Sequence, residues 1–231
     1  MPVCAILGVG PGNGMAIARR FDAAGYALAL CARRGAEMEA AARGFAGARG
    51  YACDVTDPAS LTGAAAAIAR DLGPVDTLVY NAGSGTWGTL DAVEADALRD
   101  CLEVNAVGLF SAAKAFVPAM RQAGQGAIVV IGAGAALRGR PATIAFAAGK
   151  AAQRSVAQSL ARQLGPDNIH VAYVVLDGVV DLERTRARMP DKPPEFFLAA
   201  AGVAEAVLAL ATQDRQAWSF ELDLRPFGES W

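Results

Sequence analysis

The stretch ILGVGPGNGMAIARRF, Ile6 to Phe21, decides the fold. An apolar, strand-like run leads into Gly8, Gly10, Gly12 and Gly14, and these pass without a break into a segment with helical periodicity. Glycines let the backbone approach a phosphate group closely, and the first turn of the helix behind them offers free N–H groups and the positive end of its dipole. A plain tight turn would have the same composition. What favours a phosphate cradle is the context, directly after the first strand and at the opening of a helix.

Outward from this loop, short apolar runs rich in β-formers alternate with alanine-rich stretches along the chain. The pattern predicts strands near 3–8, 26–32, 49–53, 75–80, 126–132, 169–176 and 218–224, and helices near 12–24, 36–46, 58–72, 92–122, 143–165 and 202–213. Such alternation argues for stacked βαβ units with right-handed crossovers. The expected fold is α/β, a doubly wound parallel sheet of about seven strands in three layers, α/β/α. With 231 residues, 54% of them apolar, the chain reads as one domain over 1–231. Only 177–200, DGVVDLERTRARMPDKPPEFFLAA, breaks the rhythm, and its charges and prolines suggest a loop or short helices forming a flap over the site. In AWSFELDLRPF, the alternation of Trp218, Phe220, Leu222 and Leu224 predicts a last strand with one apolar face. That edge and the wide apolar faces of the 92–122 and 143–165 helices suggest a homodimer or homotetramer.

Composition excludes several classes. The net charge is −2 and no run of Lys or Arg occurs, so neither nucleic acid nor a membrane surface is an expected partner. Cys4, Cys31, Cys53 and Cys101 have no metal-ligand spacing and read as inert thiols in a reducing compartment, with no metal site. The N-terminus lacks a basic leader, and no apolar run reaches the ~18 residues of a membrane span, so a cytoplasmic location is expected.

The end of the second predicted strand, LALCARRG, indicates the cofactor. Dinucleotide sites that take NAD place an acidic residue about 20 positions beyond the glycine loop. Here the positions hold Ala32, Arg33 and Arg34. Guanidinium groups make charge-assisted bonds to a 2′-phosphate that a carboxylate would repel, so NADP(H) is expected over NAD(H).

At this point the chain resembles the short-chain dehydrogenases/reductases over essentially its full length. Gly8, Gly12 and Gly14 fit the family's G-x-x-x-G-x-G, with Asn13 inside it and Leu7 where threonine is usual. CDVTD is similar to its adenine-contact segment, which implies roles there for Asp54 and Val55. YNAG supplies Asn81, Ala82 and Gly83 for the N-A-G after the fourth strand, and NAVG places Asn105 at the helix asparagine of the catalytic set. The resemblance implies a Rossmann-type fold and an active site of Asn, Ser, Tyr and Lys. In FAAGK, Lys150 is present, but Phe146 stands at the tyrosine position and Ala133, thirteen residues earlier, at the serine position. VVLDGVVD replaces the Pro-Gly turn, with Leu176 and Asp177 at its two positions and Asp181 for the usual threonine. Phe for Tyr with the lysine kept, together with the ending FELDLRPFGESW, resembles an atypical branch of the family.

In the family's mechanism, the tyrosine protonates the carbonyl oxygen that the serine also binds. A positioned acid is worth about 10²–10⁴ in rate and an oxyanion donor about 10²–10³, so the unmodified mechanism is not expected here. Thr143, Ser84, Asp177, Asp181 and Lys150 are the candidate replacements; helix-start, loop and turn roles account for the first four equally well. His170 reads as structural, and Trp87 as either pocket lining or a loop anchor. Three readings follow. They are an NADP(H)-dependent oxidoreductase of a small carbonyl or activated alkene, a non-catalytic NADP(H)-binding sensor or assembly protein, and an interaction module that has lost the cofactor.

Overall fold

The computed structural model describes residues 1–228; Glu229 to Trp231, the tail of the FELDLRPFGESW ending, lie outside the described residues. Seven strands form the central sheet: β1 (Val3–Leu7), β2 (Ala27–Ala32), β3 (Ala48–Ala52), β4 (Thr77–Tyr80), β5 (Gly126–Ile131), β6 (Ile169–Leu176) and, counted after two short strands given below, β9 (Glu221–Leu224). They lie in the order β3-β2-β1-β4-β5-β6-β9, every pairing parallel. The helices are α1 (Asn13–Ala23), α2 (Gly35–Ala42), α3 (Pro58–Asp71), α4 (Ala95–Leu102), α5 (Gly108–Ala123), α6 (Ile144–Leu164), α7 (Glu183–Arg188) and α8 (Ala200–Ala211).

The near-continuous apolar strands are explained by helices on both faces. Val3, Ala5 and Leu7 point into a core completed by α3, α5 and α6. Cys4 and Ile6 point into another, completed by α1, α2 and α8. All four cysteines are free and buried, and burial pushes the Cys4 and Cys31 thiols well up, as expected of packing residues. The chain runs outward from β1 to β3 and then returns across β1 to β4, so the strand order reverses between β1 and β4. A crevice opens at the carboxyl ends of strands at such a switch point, and ligands bind there.

Three expectations are corrected. The single helix expected over 92–122 is α4 and α5 joined by a π-helical turn, Glu103–Val107. The Tyr80 hydroxyl enters the ladder and donates to the Val104 carbonyl. A Cβ at Gly108 would lie 2.5 Å from that hydroxyl oxygen, so the glycine makes room for it. A side chain inserted into a helical ladder is an ordinary cause of such a bulge. Contrary to the expectation of no membrane-length apolar run, the continuous helical run Ala95–Ala123 contains a stretch of mean hydropathy 1.2 with the length and composition of a membrane span. Its apolar side, including Leu109, Phe116 and Met120, packs against the sheet. Thirdly, Phe220 does not share a face with Leu222 and Leu224. It lies before β9 and packs into the core containing α6, whereas the two leucines face the α1–α8 side.

Segment 177–200 folds into β7 (Val179–Val180) paired with β8 (Phe197–Leu198), with α7 between them. It lies against the glycine loop, where a Cβ on Gly12 would come within 2.5 Å of Leu182 Cδ2.

Candidate functional site

The glycine loop turns at the end of β1. Gly8 adopts φ +86°, and a Cβ on it would sit 2.5 Å from the backbone of Ala82, so only glycine allows β1 and β4 to end this close together. Asn81 fixes the approach: its Nδ2 donates to the Gly8 carbonyl at 2.7 Å and its backbone N–H to Leu7 at 3.0 Å. Gly14 meets the backbone of Val9, where a Cβ would lie 2.8 Å from its Cα. α1 begins at Asn13 with no side-chain cap and no acidic residue in its first turn. The Oδ1 of Asn13 is buried without a partner. An uncapped helix start behind close-packed glycines is what an anionic ligand completes.

At the far end of the crevice, Arg33 is exposed and makes no ion pair among the described residues. Arg34 pairs with Glu37 at 3.0 Å on the open surface. Asp54 accepts bonds from the Thr56 N–H (3.0 Å) and hydroxyl (2.8 Å). These bonds, and Arg33 beyond them, hold its carboxyl below the usual range. Val55 is buried beside it.

Asn105 occupies the π turn. Both hydrogens of its Nδ2 are used, on the carbonyls of Ser84 (2.8 Å) and Cys101 (2.8 Å). This fixes the carboxamide orientation and leaves Oδ1 buried and unpaired. Lys150, 6% exposed on α6, donates from Nζ to the Ile131 carbonyl (2.9 Å) and Gln153 Oε1 (3.0 Å). Burial lowers its pKa to about 7. Asn105 Oδ1 and Lys150 Nζ face the same space, since a Cβ on Gly83 would stand 3.5 Å from one and 3.6 Å from the other. Gly149 brings the helices together, for its Cβ would meet the Cys101 carbonyl at 2.7 Å. Sequence reading did not single out Gly149, Gln153 or Leu182, although the Gly-Lys pair in AAGK was a usable sign of close helix packing.

Phe146 lies at the mouth. Its ring covers Gly85 and stacks on Trp87, centroids 5.4 Å apart at 28°, leaving Trp87 66% exposed. Ala133 is extended and presents only a methyl group. Three of the alternative polar groups are engaged elsewhere. Thr143 Oγ1 is turned onto Arg140, accepting from its N–H at 2.8 Å and donating to its carbonyl at 3.1 Å. Asp177 is held by Arg138 at 2.6 and 2.8 Å and by Arg225. Asp181 is bound by Arg186, which lowers its carboxyl pKa. Ser84 is fixed through its backbone carbonyl, which accepts from Asn105, and its hydroxyl is not engaged by that bond. His170 lies away from the crevice, between the carbonyls of Leu210 and Ser219 and stacked on Trp218. Among the described residues, no cluster of three His, Cys, Asp or Glu side chains has the arrangement of a metal site.

A switch-point crevice with a glycine cradle, and with buried Asn105 and Lys150 facing one space at Gly83, defines a Rossmann-type dinucleotide-binding protein. The chain belongs to the short chain dehydrogenase family, which its residues 2–192 match. It is 36% identical over 182 residues, 78% of its length and 79% of the relative's, to the inactive 2-(S)-hydroxypropyl-CoM dehydrogenase 2 of Xanthobacter autotrophicus. The alcohol dehydrogenase of Thermococcus sibiricus, solved with 5-hydroxy-NADP, superposes with a TM-score of 0.87 at 27% identity, covering 100% of this chain and 98% of that one. The NADPH-bound short chain oxidoreductase of Pseudomonas aeruginosa PAO1, described as containing an atypical catalytic center, superposes with a TM-score of 0.89 at 25% identity, covering 99% and 96%.

Proposed function

We propose that the chain binds NADP(H) along the switch-point crevice and acts as an oxidoreductase on a small carbonyl or activated alkene, without a tyrosine or serine as proton donor. Gly8, Gly12, Asn13 and Gly14 would hold the diphosphate, Arg33 with Arg34 the 2′-phosphate, and Asp54 with Val55 the adenine. Asn81, Ala82 and Gly83 would line the middle of the cofactor. When bound, the nicotinamide supplies or accepts a hydride. Lys150 and Asn105 would orient its ribose from the Gly83 side, and the stacked Trp87–Phe146 pair would screen the reacting face from water.

The observation that carries this reading is that Lys150 Nζ and Asn105 Oδ1, unbonded to each other, both face the space at Gly83 while Phe146 and Ala133 present no hydroxyl. Near neutral pH, Lys150 is the group at this end that can exchange a proton. A substrate that tolerates slow or water-borne protonation, such as an enone or quinone, suits such a site better than an unactivated ketone. The same residues support assigning the chain to the atypical branch in which phenylalanine stands for the catalytic tyrosine. We further infer a single functional unit over 1–231 with 177–200 as its flap, a cytoplasmic location, a homodimer or homotetramer, and neither nucleic acid nor membrane as partner.

A second reading, a non-catalytic NADP(H)-binding protein, is favoured by the 36% identity to a relative named as inactive. Fluorescence titration with NADPH and NADH tests binding, and no saturable binding by either sinks both readings. Turnover of any member of an NADPH-coupled panel of enones, quinones and aldehydes favours the first reading. Tight binding with no turnover across the panel favours the second.

A further inference from the structure

Behind Lys150 lies a polar network that the proposed function does not use. Gln153, one turn further along α6, is 0% exposed. Its Oε1 accepts from Lys150 Nζ at 3.0 Å and faces the Tyr173 hydroxyl of β6 at 3.4 Å. That hydroxyl also lies 3.3 Å from the Lys150 carbonyl and takes the N–H of Ala133. Gly132 makes room for the Tyr173 ring, since a Cβ there would come within 2.2 Å of it. Lys150 Nζ, the nearer donor, orients the Gln153 carboxamide, while the single proton of the Tyr173 hydroxyl is shared between Oε1 and the Lys150 carbonyl, and Gln153 Nε2 is left buried without a partner. An apolar side chain would fill this space without stranding an N–H group, so packing alone does not account for glutamine here.

The hydrogen count at Lys150 gives the network a use. A neutral amine has two N–H groups, and the Ile131 carbonyl and Gln153 Oε1 accept both. An ammonium has a third, and the open space beside Nζ is the one shared with Asn105 Oδ1 at Gly83. We propose that Gln153 is a positioning residue for Lys150: pinned by Tyr173, its carbonyl oxygen aims the amine at the Gly83 end of the crevice and sets the pH at which the amine takes up its third proton. The role toward a ligand rests on the reading that the crevice takes NADP(H); the role toward Lys150 does not. The other groups nearby are Arg154 of α6, paired with Glu221 of β9, and Asp177, held by Arg138 and Arg225. No carboxylate is within ion-pair distance of Nζ among the described residues.

The test uses Gln153→Glu and Gln153→Met in the full chain, methionine being close to glutamine in size and shape. Lysines occur only at 114, 150 and 192, so NMR of ¹³C-lysine protein follows Lys150 without cofactor, with Lys150→Met assigning its signal. Gln153→Glu should raise the Lys150 midpoint by at least about one pH unit, because a carboxylate favours the ammonium. Gln153→Met should lower it, because an acceptor is lost. The pH at which NADPH affinity declines should move in the same two directions. Midpoints unchanged in both variants, or moved the same way in both, would overturn the proposal. Should Gln153→Glu fail to fold, the downward shift in Gln153→Met decides alone. If NADPH binds to none of the proteins, the cofactor reading falls while the Lys150 titration still judges Gln153.

Discussion

Replacing Lys150 with methionine should stabilise the chain by an amount that shrinks as pH rises. Burial holds the Lys150 pKa at about 7, against 10.5 for an unperturbed lysine. Below pH 7 the amine is charged in both folded and unfolded states, and the folded state bears the full cost of a desolvated ammonium. Between the two values the unfolded chain carries one more proton than the folded one, so stability rises with pH by about 1.4 kcal/mol per unit. Across the window this amounts to about 3–5 kcal/mol. Methionine has no proton to titrate. It does strand the Ile131 carbonyl, a loss of about 1–3 kcal/mol that is the same at every pH. The slope of the difference is therefore the cleaner quantity. Urea unfolding of both proteins from pH 6 to pH 9, followed by circular dichroism, measures it, because every other titrating group is common to the pair. The advantage of Lys150→Met should be greatest at pH 6 and shrink steadily towards pH 9. Parallel stability curves would refute the reasoning, since they would mean that water reaches Nζ and its pKa is ordinary.

Three further outcomes are expected. Gly8→Ala combines a φ of +86° with a 2.5 Å approach to the Ala82 backbone, which Asn81 holds in place; it should cost about 3 kcal/mol or more in urea unfolding. Arg33→Ala should weaken NADPH binding about 10- to 100-fold in fluorescence titration and leave NADH almost unchanged, as expected for the loss of a charge-assisted phosphate bond. The double substitution Phe146→Tyr with Ala133→Ser should raise ketone or aldehyde reduction by about 10²-fold or more above the starting protein in an NADPH absorbance assay. No gain, with NADPH still bound, would show that the altered turn after β6 also blocks the reaction.

The parts of the fold written as local pattern were legible in the sequence. The glycine loop, the apolar strands and the helical runs gave element ends within a few residues, because β-rich apolar runs and alanine-rich helices differ in period. Asn105 and Lys150 were legible as candidates from their motifs. What the motifs do not carry is the register between distant elements. The π turn depends on Tyr80, from β4, meeting Val104. Gln153 gains its polar surroundings only when β6 sets Tyr173 against α6. Phe220 lies outside β9, so two-residue alternation assigned it to the wrong core. Thr143 showed a hydroxyl near the lysine by count, but the fold turns that hydroxyl onto the Arg140 backbone.

The turn after β6 owes its shape to partners from both directions along the chain. Asp177 is gripped by Arg138, which precedes α6, and by Arg225, which follows β9. β9 is an edge strand, bonded to the sheet only through β6, and edges are the first part of a sheet to loosen. When it does, Arg225 leaves with it and the mouth of the crevice loses one of its two clamps while the strands beneath stay paired. Mild heat or denaturant should therefore blunt ligand discrimination at this end before any change in secondary structure can be seen.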